Sequence, residues 1–341
     1  MFGNRLRAWA AGRGYALAIV ATGVVGTVRK KLEKRRDDGL IDPGIVHDSL
    51  DGFRYLEGSP ITGPKCLVVV AVPSPIHVLP FVKDGKRTEG LLPPTYVRYN
   101  RTFTDVLADM KDNALGTAVQ AEILRAPLKS LAVHAGLALY GRNNITYVPG
   151  LGSGHQLCGY VVGMEKRPRS EKDGADPPEA MLERCADCRA CLKACPTGAI
   201  REDRFVISAE RCFTYISESR KPFPAWARPP RSLCLIGCMN CQQVCPENKG
   251  MLKKVPSGVE FTAEEAEAVI EVGRCLTASG PDEEGISKAR GNPAYASARD
   301  KFGELGMSED LDIVGRNLGY LLQIRGHNTH SPISREPSIM K

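Results

Sequence analysis

Cys185-Ala-Asp-Cys188-Arg-Ala-Cys191-Leu-Lys-Ala-Cys195-Pro196 decides how this 341-residue chain is read. The spacing C-x2-C-x2-C-x3-C-P folds round a [4Fe-4S] cube, and its fourth cysteine reaches a second cube. A partial echo follows at Cys238-Met-Asn-Cys241-Gln-Gln-Val-Cys245-Pro246. Three thiolates so close in sequence suit three corners of a cube, because each two-residue spacer wraps the backbone round one iron. Tetrahedral zinc normally takes its cysteines in separated pairs, so this pattern disfavours it. The chain is expected to carry or use electrons.

The second motif is one cysteine short. In the paired arrangement Cys185, Cys188 and Cys191 hold one cube together with Cys245. Cys195 joins Cys238 and Cys241 on the other, which leaves one corner to fill. Cys212 and Cys234 are the two candidates. Cys212 lies midway between the motifs, on a segment that must return to the clusters, and is preferred. Cys234 stands one helical turn before Cys238 and needs a tight backbone to reach the same cube. Cys66, Cys158 and Cys275 have no partner spacing and read as buried apolar thiols.

Twelve cysteines in a secreted chain would suggest disulfides, but the clustered spacing points to a reducing cytoplasm. The formal charge is +7. Two cubes of about −2 each reduce it to about +3. The surplus is concentrated up to and including Arg36, with nine Lys or Arg against the single acid Glu33. Arg29–Arg36 reads as a solvated helix face, with RNA or an anionic partner as the alternative. No segment reads as a membrane span. The apolar run Tyr15–Val28 is shorter than the roughly 20 residues required, and no cleavage box follows it. It is expected to form a strand, Tyr15–Ala21, and then a turn through Gly23 and Gly26.

Residues 1–166 read as an α/β domain. Cys66–Val72 is an unbroken apolar run suited to a strand covered on both faces, which Pro73, Pro75 and Pro80 end by opening a loop. Helices are expected at Thr102–Met110 and Pro127–Ala135, and strands at Ile145–Val148 and Leu157–Val162. Between those strands lies Pro149-Gly-Leu-Gly-Ser-Gly154, whose glycines permit close approach of a ligand or simply a tight turn. Residues 167–180 suit a linker, and 181–250 a bacterial-ferredoxin-like module for two [4Fe-4S] clusters. A short helical region, 251–325, completes the fold, with a polar tail at 326–341. Thr262-Ala-Glu-Glu265 is a capping box for a helix to about Cys275. Leu311, Val314, Leu318, Leu321 and Leu322 line one face of another helix.

Several segments follow, in register, the pattern of one family. They are Ala132-Val-His-Ala-Gly-Leu137, Gly141-Arg-Asn143, Pro149, Gly152-Ser153, Cys195-Pro-Thr-Gly-Ala-Ile200, Arg211-Cys212, Gly237-Cys238, Cys241-Gln242 and Val244-Cys-Pro246. Over roughly residues 10–250 the chain resembles the epoxyqueuosine reductases and, more distantly, the corrinoid reductive dehalogenases. The resemblance implies a cobalamin enclosed between the N-terminal domain and the two-cluster module, with electrons passing through the cubes to cobalt. It places Asn143, Gly152 and Ser153 at the cofactor. It also implies a low-potential donor such as ferredoxin or flavodoxin.

Two departures bear on function. The family carries Asp-Thr-Gly before the Ala-Gly helix, its Asp being the proton donor; here the stretch reads Ala121-Glu-Ile-Leu124, so Glu122 takes that place. Tyr99 is a second candidate donor near the same site. The family also ends in helical repeats that grip tRNA, and this chain stops soon after Gly315-Arg-Asn-Leu-Gly319. A small-molecule substrate is therefore expected in preference to tRNA. Three classes follow: a corrinoid and iron–sulfur reductase acting on an epoxide or halide, an electron-transfer protein serving another enzyme's corrinoid or metal centre, and a non-catalytic two-cluster protein.

Overall fold

The computed structural model describes residues 2–83, 85–116, 118–164, 181–227, 232–277 and 280–327. The expected linker at 167–180 lies outside the described residues, as does the tail from 328 onward.

Nine strands position the site: β1 (Ala16–Ala21), β2 (Lys65–Pro73), β3 (Ile76–Lys83), β4 (Lys86–Leu92), β5 (Ala121–Ile123), β6 (Leu139–Tyr140), β7 (Thr146–Tyr147), β8 (His155–Gly163) and β9 (Lys254–Pro256). The helices are α1 (Phe2–Gly12), α2 (Val24–Asp37), the short α3 (Pro43–Ile45), α4 (Tyr99–Met110), α5 (Leu128–His134), α6 (Ala190–Ala194), α7 (Phe213–Glu218), α8 (Asn240–Gln243), α9 (Ala263–Arg274), α10 (Glu283–Arg290), α11 (Pro293–Glu304) and α12 (Leu311–His327).

The main sheet runs β1-β2-β8-β5 and is antiparallel throughout. Its period of two sorts the apolar run of β2 onto two faces. Cys66, Val68 and Val70 meet Leu6 and Trp9 of α1 and Phe103, Val106 and Met110 of α4. Leu67, Val69 and Ala71 meet Val24, Val25 and Val28 of α2 and Leu131 and Ala132 of α5. Helices on both faces explain why no polar residue interrupts β2. The expected turn through Gly23 and Gly26 is instead the start of α2, because burial of its valines outweighs the helix cost of glycine.

β2 ends at Pro73 as expected, but only Ser74 and Pro75 separate it from β3. β3 continues through Pro80, which pairs with Glu89 of β4, and β9 adds in parallel on the other side. The Pro80 carbonyl accepts from Phe261 N at 3.0 Å, so the missing N–H faces the same edge, past the end of β9. This small sheet packs on the C-terminal helices, where Leu79, Phe81, Leu92 and Phe261 share a core with Val269, Phe302, Val314 and Leu318. Thr262 caps α9 in a reciprocal box with Glu265, as its sequence predicts. No helix among the described residues is long and apolar enough to cross a membrane.

Candidate iron–sulfur centre

The cysteines gather into two groups, each drawing on both motifs. Burial first, then the thiols of Cys185, Cys245 and Cys188, push the Cys191 thiol up to about 11. Cys185 is raised by burial and by the same neighbours, Cys245 and Cys188. In the second group, burial and then Cys212 and Cys195 push Cys238 up to about 11. Cys241 is raised by burial, then by Cys238 and Cys212. Buried thiols crowded in this way resist ionising beside one another; bound iron supplies the positive charge that lets them do so.

Backbone geometry favours thiolates at the same places. Cys195 is held below the ordinary thiol range although burial opposes this, because the backbone of Thr197, Ile200 and Ala199 and the Thr197 hydroxyl donate to its sulfur. Gly198, at φ 66°, permits the turn that aims these groups. Cys212 is the residue that precedes α7; burial raises its thiol, and the backbone of Thr214 and Tyr215 with the Thr214 hydroxyl oppose that rise. A thiol quartet surrounded by N–H donors fits a [4Fe-4S] cube, whose potential is tuned by such hydrogen bonds. No three His, Cys, Asp or Glu groups among the described residues converge as they would on a single ion.

Cys234 is placed differently. Leu91 N donates to Leu233 O at 2.8 Å and Leu235 N to Leu91 O at 2.9 Å, so this segment extends the β3–β4 sheet. The Cys234 side chain enters an apolar cluster with Ile76, Leu91 and Met239. Burial, then Cys238, pushes its thiol up to about 12.

The residues assigned to a corrinoid face the cluster module. Asn143 is buried, its Nδ2 donating to the Tyr147 hydroxyl at 3.0 Å, and its amide reaches Cys241. Ser153 N donates to Asn248 Oδ1 at 2.8 Å, and Asn248 Nδ2 returns a bond to Ser153 Oγ at 2.9 Å. At Gly152, φ 57°, an added Cβ would lie 2.5 Å from Asn248 Oδ1 and 3.0 Å from Met251. The Gly-rich loop is thus a joint between the main sheet and the second motif. The polar groups of Asn143 and Ser153 are engaged there with Tyr147, Cys241 and Asn248.

Glu122 and Tyr99 are not brought together. Glu122 lies on edge strand β5, half-buried opposite Val161, and accepts from the Ser59 hydroxyl. Alternation along β5 puts it on the face shared by Val161, Leu124 and Ile61. Tyr99 opens α4 on the other face, 45% exposed and edge-on to Phe103. Its hydroxyl is raised by burial, then by Cys158 and Glu218.

Sequence reasoning missed three residues. Arg142 N donates to Cys185 Sγ at 3.4 Å, and its guanidinium holds Cys185 O at 2.7 Å. Tyr147 lies against Cys245, and Asn248 secures the loop. Asn248, just past Cys245-Pro246, was the most visible of the three; Tyr147 carries no spacing signal.

Residues 184–248 match the family model described as a 4Fe-4S double cluster binding domain. An epoxyqueuosine reductase of Staphylococcus aureus is 29% identical over 123 residues, covering 36% of this chain and 30% of that protein. One from Synechococcus sp. is 36% identical over 122 residues, 35% of each chain. One from Francisella cf. novicida is 30% identical over 216 residues, 57% of this chain and 56% of that protein. The chain thus spans about a third to a half of the curated relatives it matches. The solved epoxyqueuosine reductase of Streptococcus thermophilus superposes with a TM-score of 0.66 at 20% identity, covering 96% of this chain and 82% of that one. An epoxyqueuosine reductase solved with an epoxyqueuosine-modified tRNA-Tyr stem loop gives 0.60 at 19% identity. In sequence over a third to a half of its length and in fold over nearly its whole length, the chain is similar to the epoxyqueuosine reductases.

Proposed function

We propose that the chain is an iron–sulfur oxidoreductase of the epoxyqueuosine reductase type, fed by a low-potential donor such as ferredoxin or flavodoxin. The observation that carries this reading is the crossing of the two thiol groups: Cys185, Cys188, Cys191 and Cys245 for one cube, Cys195, Cys212, Cys238 and Cys241 for the other. Exchanging one ligand between motifs keeps the cubes close, which a short electron path requires. Bound cubes supply electrons of low potential. The chain's own residues hold the thiolates, exclude water and direct N–H groups at sulfur.

Glu122 is the proposed proton donor, its carboxyl oriented by Ser59. Tyr99, on the opposite face of the sheet, serves a different place. The resemblance implies cobalamin as the terminal carrier, but the three residues assigned to it are engaged elsewhere, so no step is derived through a corrinoid. For the substrate, the fold neighbour solved with a tRNA stem loop tells against the small-molecule expectation. A modified tRNA is the proposed substrate.

The engagement of Asn143, Gly152 and Ser153 favours a second reading, electron delivery to another protein's centre. One experiment separates the two. The anaerobic protein with reductant, cobalamin and an epoxyqueuosine-bearing stem loop is assayed for the deoxygenated nucleoside by mass spectrometry. Each turnover takes two electrons and two protons and releases the epoxide oxygen as water. Product that disappears in Glu122→Gln supports the reductase. No product from a protein that still reduces an external acceptor establishes the second reading.

A further inference from the structure

Behind the second thiol group, two neighbouring side chains of α12 gather the ends of its ligand segments. Arg316 Nη1 donates to Ser219 O at 2.5 Å and also to Lys221 O. Its Nη2 donates to Ser217 O at 2.9 Å and Ile216 O at 3.4 Å, and the guanidinium lies 4.4 Å from the Phe223 ring centre. These are the carbonyls at and beyond the C-terminal end of α7, the helix that Cys212 opens. Asn317 Nδ2 donates to Ser217 O at 3.0 Å and to Leu235 O at 2.7 Å. Its Oδ1 accepts from Arg316 Nε and Nη2 at 3.1 and 2.9 Å, which locks the two side chains together. Ser217 Oγ then accepts from Gly237 N, the residue before Cys238, at 2.8 Å.

α12 reaches this position through a glycine crossing. A Cβ on Gly315 would overlap the Val269 carbonyl, and one on Gly273 would overlap the Arg316 amide. Only backbone-to-backbone contact there lets α12 lie low enough for Arg316 to enter. Burial presses Arg316 down to about 10, which leaves it charged at neutral pH.

We propose that Arg316 and Asn317 are the positioning pair of the second cube: they fix the Cys212 helix and the Leu235–Cys238 segment relative to each other and place one buried cation on that cube's protein side. The inference rests on the two-cube reading. A fixed cation favours the reduced, more negative state, so it raises that cube's potential and leaves the first cube, held by Cys185, Cys188, Cys191 and Cys245, unaffected.

The test compares wild type, Arg316→Ala, Arg316→Lys and Leu322→Ala, the last a core change on α12. Potentials are read by electron paramagnetic resonance during anaerobic redox titration, iron release by chelator kinetics, and backbone protection by hydrogen exchange of the metal-free chains. Arg316→Ala should lower one cube's midpoint, speed release of that cube's iron by about tenfold or more, and deprotect α7 and residues 235–238. Arg316→Lys should restore the potential while release stays fast. Leu322→Ala should leave both cubes unshifted. Equal shifts in both cubes, or none in Arg316→Ala, overturn the proposal. Should wild type hold fewer than two cubes, the functional reading fails by itself; unchanged exchange in α7 of Arg316→Ala would then overturn the positioning role separately.

Discussion

Cys212 and Cys234 show how much a single thiol's surroundings decide. Both lie near Cys238, but Cys212 precedes a helix whose first backbone groups oppose the rise of its thiol, while Cys234 is enclosed by Ile76, Leu91 and Met239. Cys212→Ser should therefore remove one cube's signal and its iron. Cys234→Ser should keep both, because it alters a side chain packed on Ile76, Leu91 and Met239 and not a cube ligand. Iron analysis with low-temperature spectra of the two variants decides this, and the reverse pattern would reassign the ligand. His155 gives a second prediction. Its Nδ1 donates to Gly152 O at 3.1 Å, its Nε2 faces Thr146 Oγ1 at 3.2 Å, and burial pushes it down to about 4. The unfolded chain binds this proton near pH 6.5, so stability is full above that value and falls as pH drops toward 4. By pH 5.5 the loss should be about 1.4 kcal/mol, measured by denaturant unfolding. His155→Gln should remove that part of the pH dependence. Metal-type residues such as the cysteines were legible from spacing alone. Arg142, Tyr147 and Arg316 were not, because their roles arise from distant segments meeting.

At the scale of elements, legibility followed how local the cause is. The Thr262 box and the Leu311–Leu322 stripe are written within one helix, and both helices form as read. β2 was legible because burial on both faces leaves no choice of residue. The turn at Gly23 and the break at Pro80 were misread, since in each case a distant partner overrides local preference: the sheet under α2, and β4 and Phe261 beside β3. The α9–α12 crossing has no local signature beyond its glycines. It predicts that Gly315→Ala costs about 3 kcal/mol by forcing the helices apart. Gly303→Ala, where a Cβ meets nothing within 4 Å, should stabilise α11 by about 0.5–1 kcal/mol. Chemical denaturation of the two variants checks the contrast; equal effects would show that the crossing is not tight.

Across the whole molecule, the cluster module is clasped from two sides. The main sheet reaches it through Arg142 and the Gly152–Asn248 joint, and the C-terminal helices reach it through Arg316 and Asn317. The cluster motifs alone do not specify this arrangement. They define a double-cluster fold, and the segments on either side determine how rigidly each cube is held. The glutamate on β5 and the tyrosine on α4 make the same point. Two residues assigned to one site from sequence lie on opposite faces of a sheet, because the period of a strand, and not proximity in sequence, assigns the face. Metal analysis with Mössbauer spectroscopy of the anaerobically prepared chain is the decisive measurement for the crossed pair of thiol quartets. Two four-cysteine cubes require about eight iron and eight acid-labile sulfide per chain, all in [4Fe-4S] form; zinc, or about four iron, would contradict it.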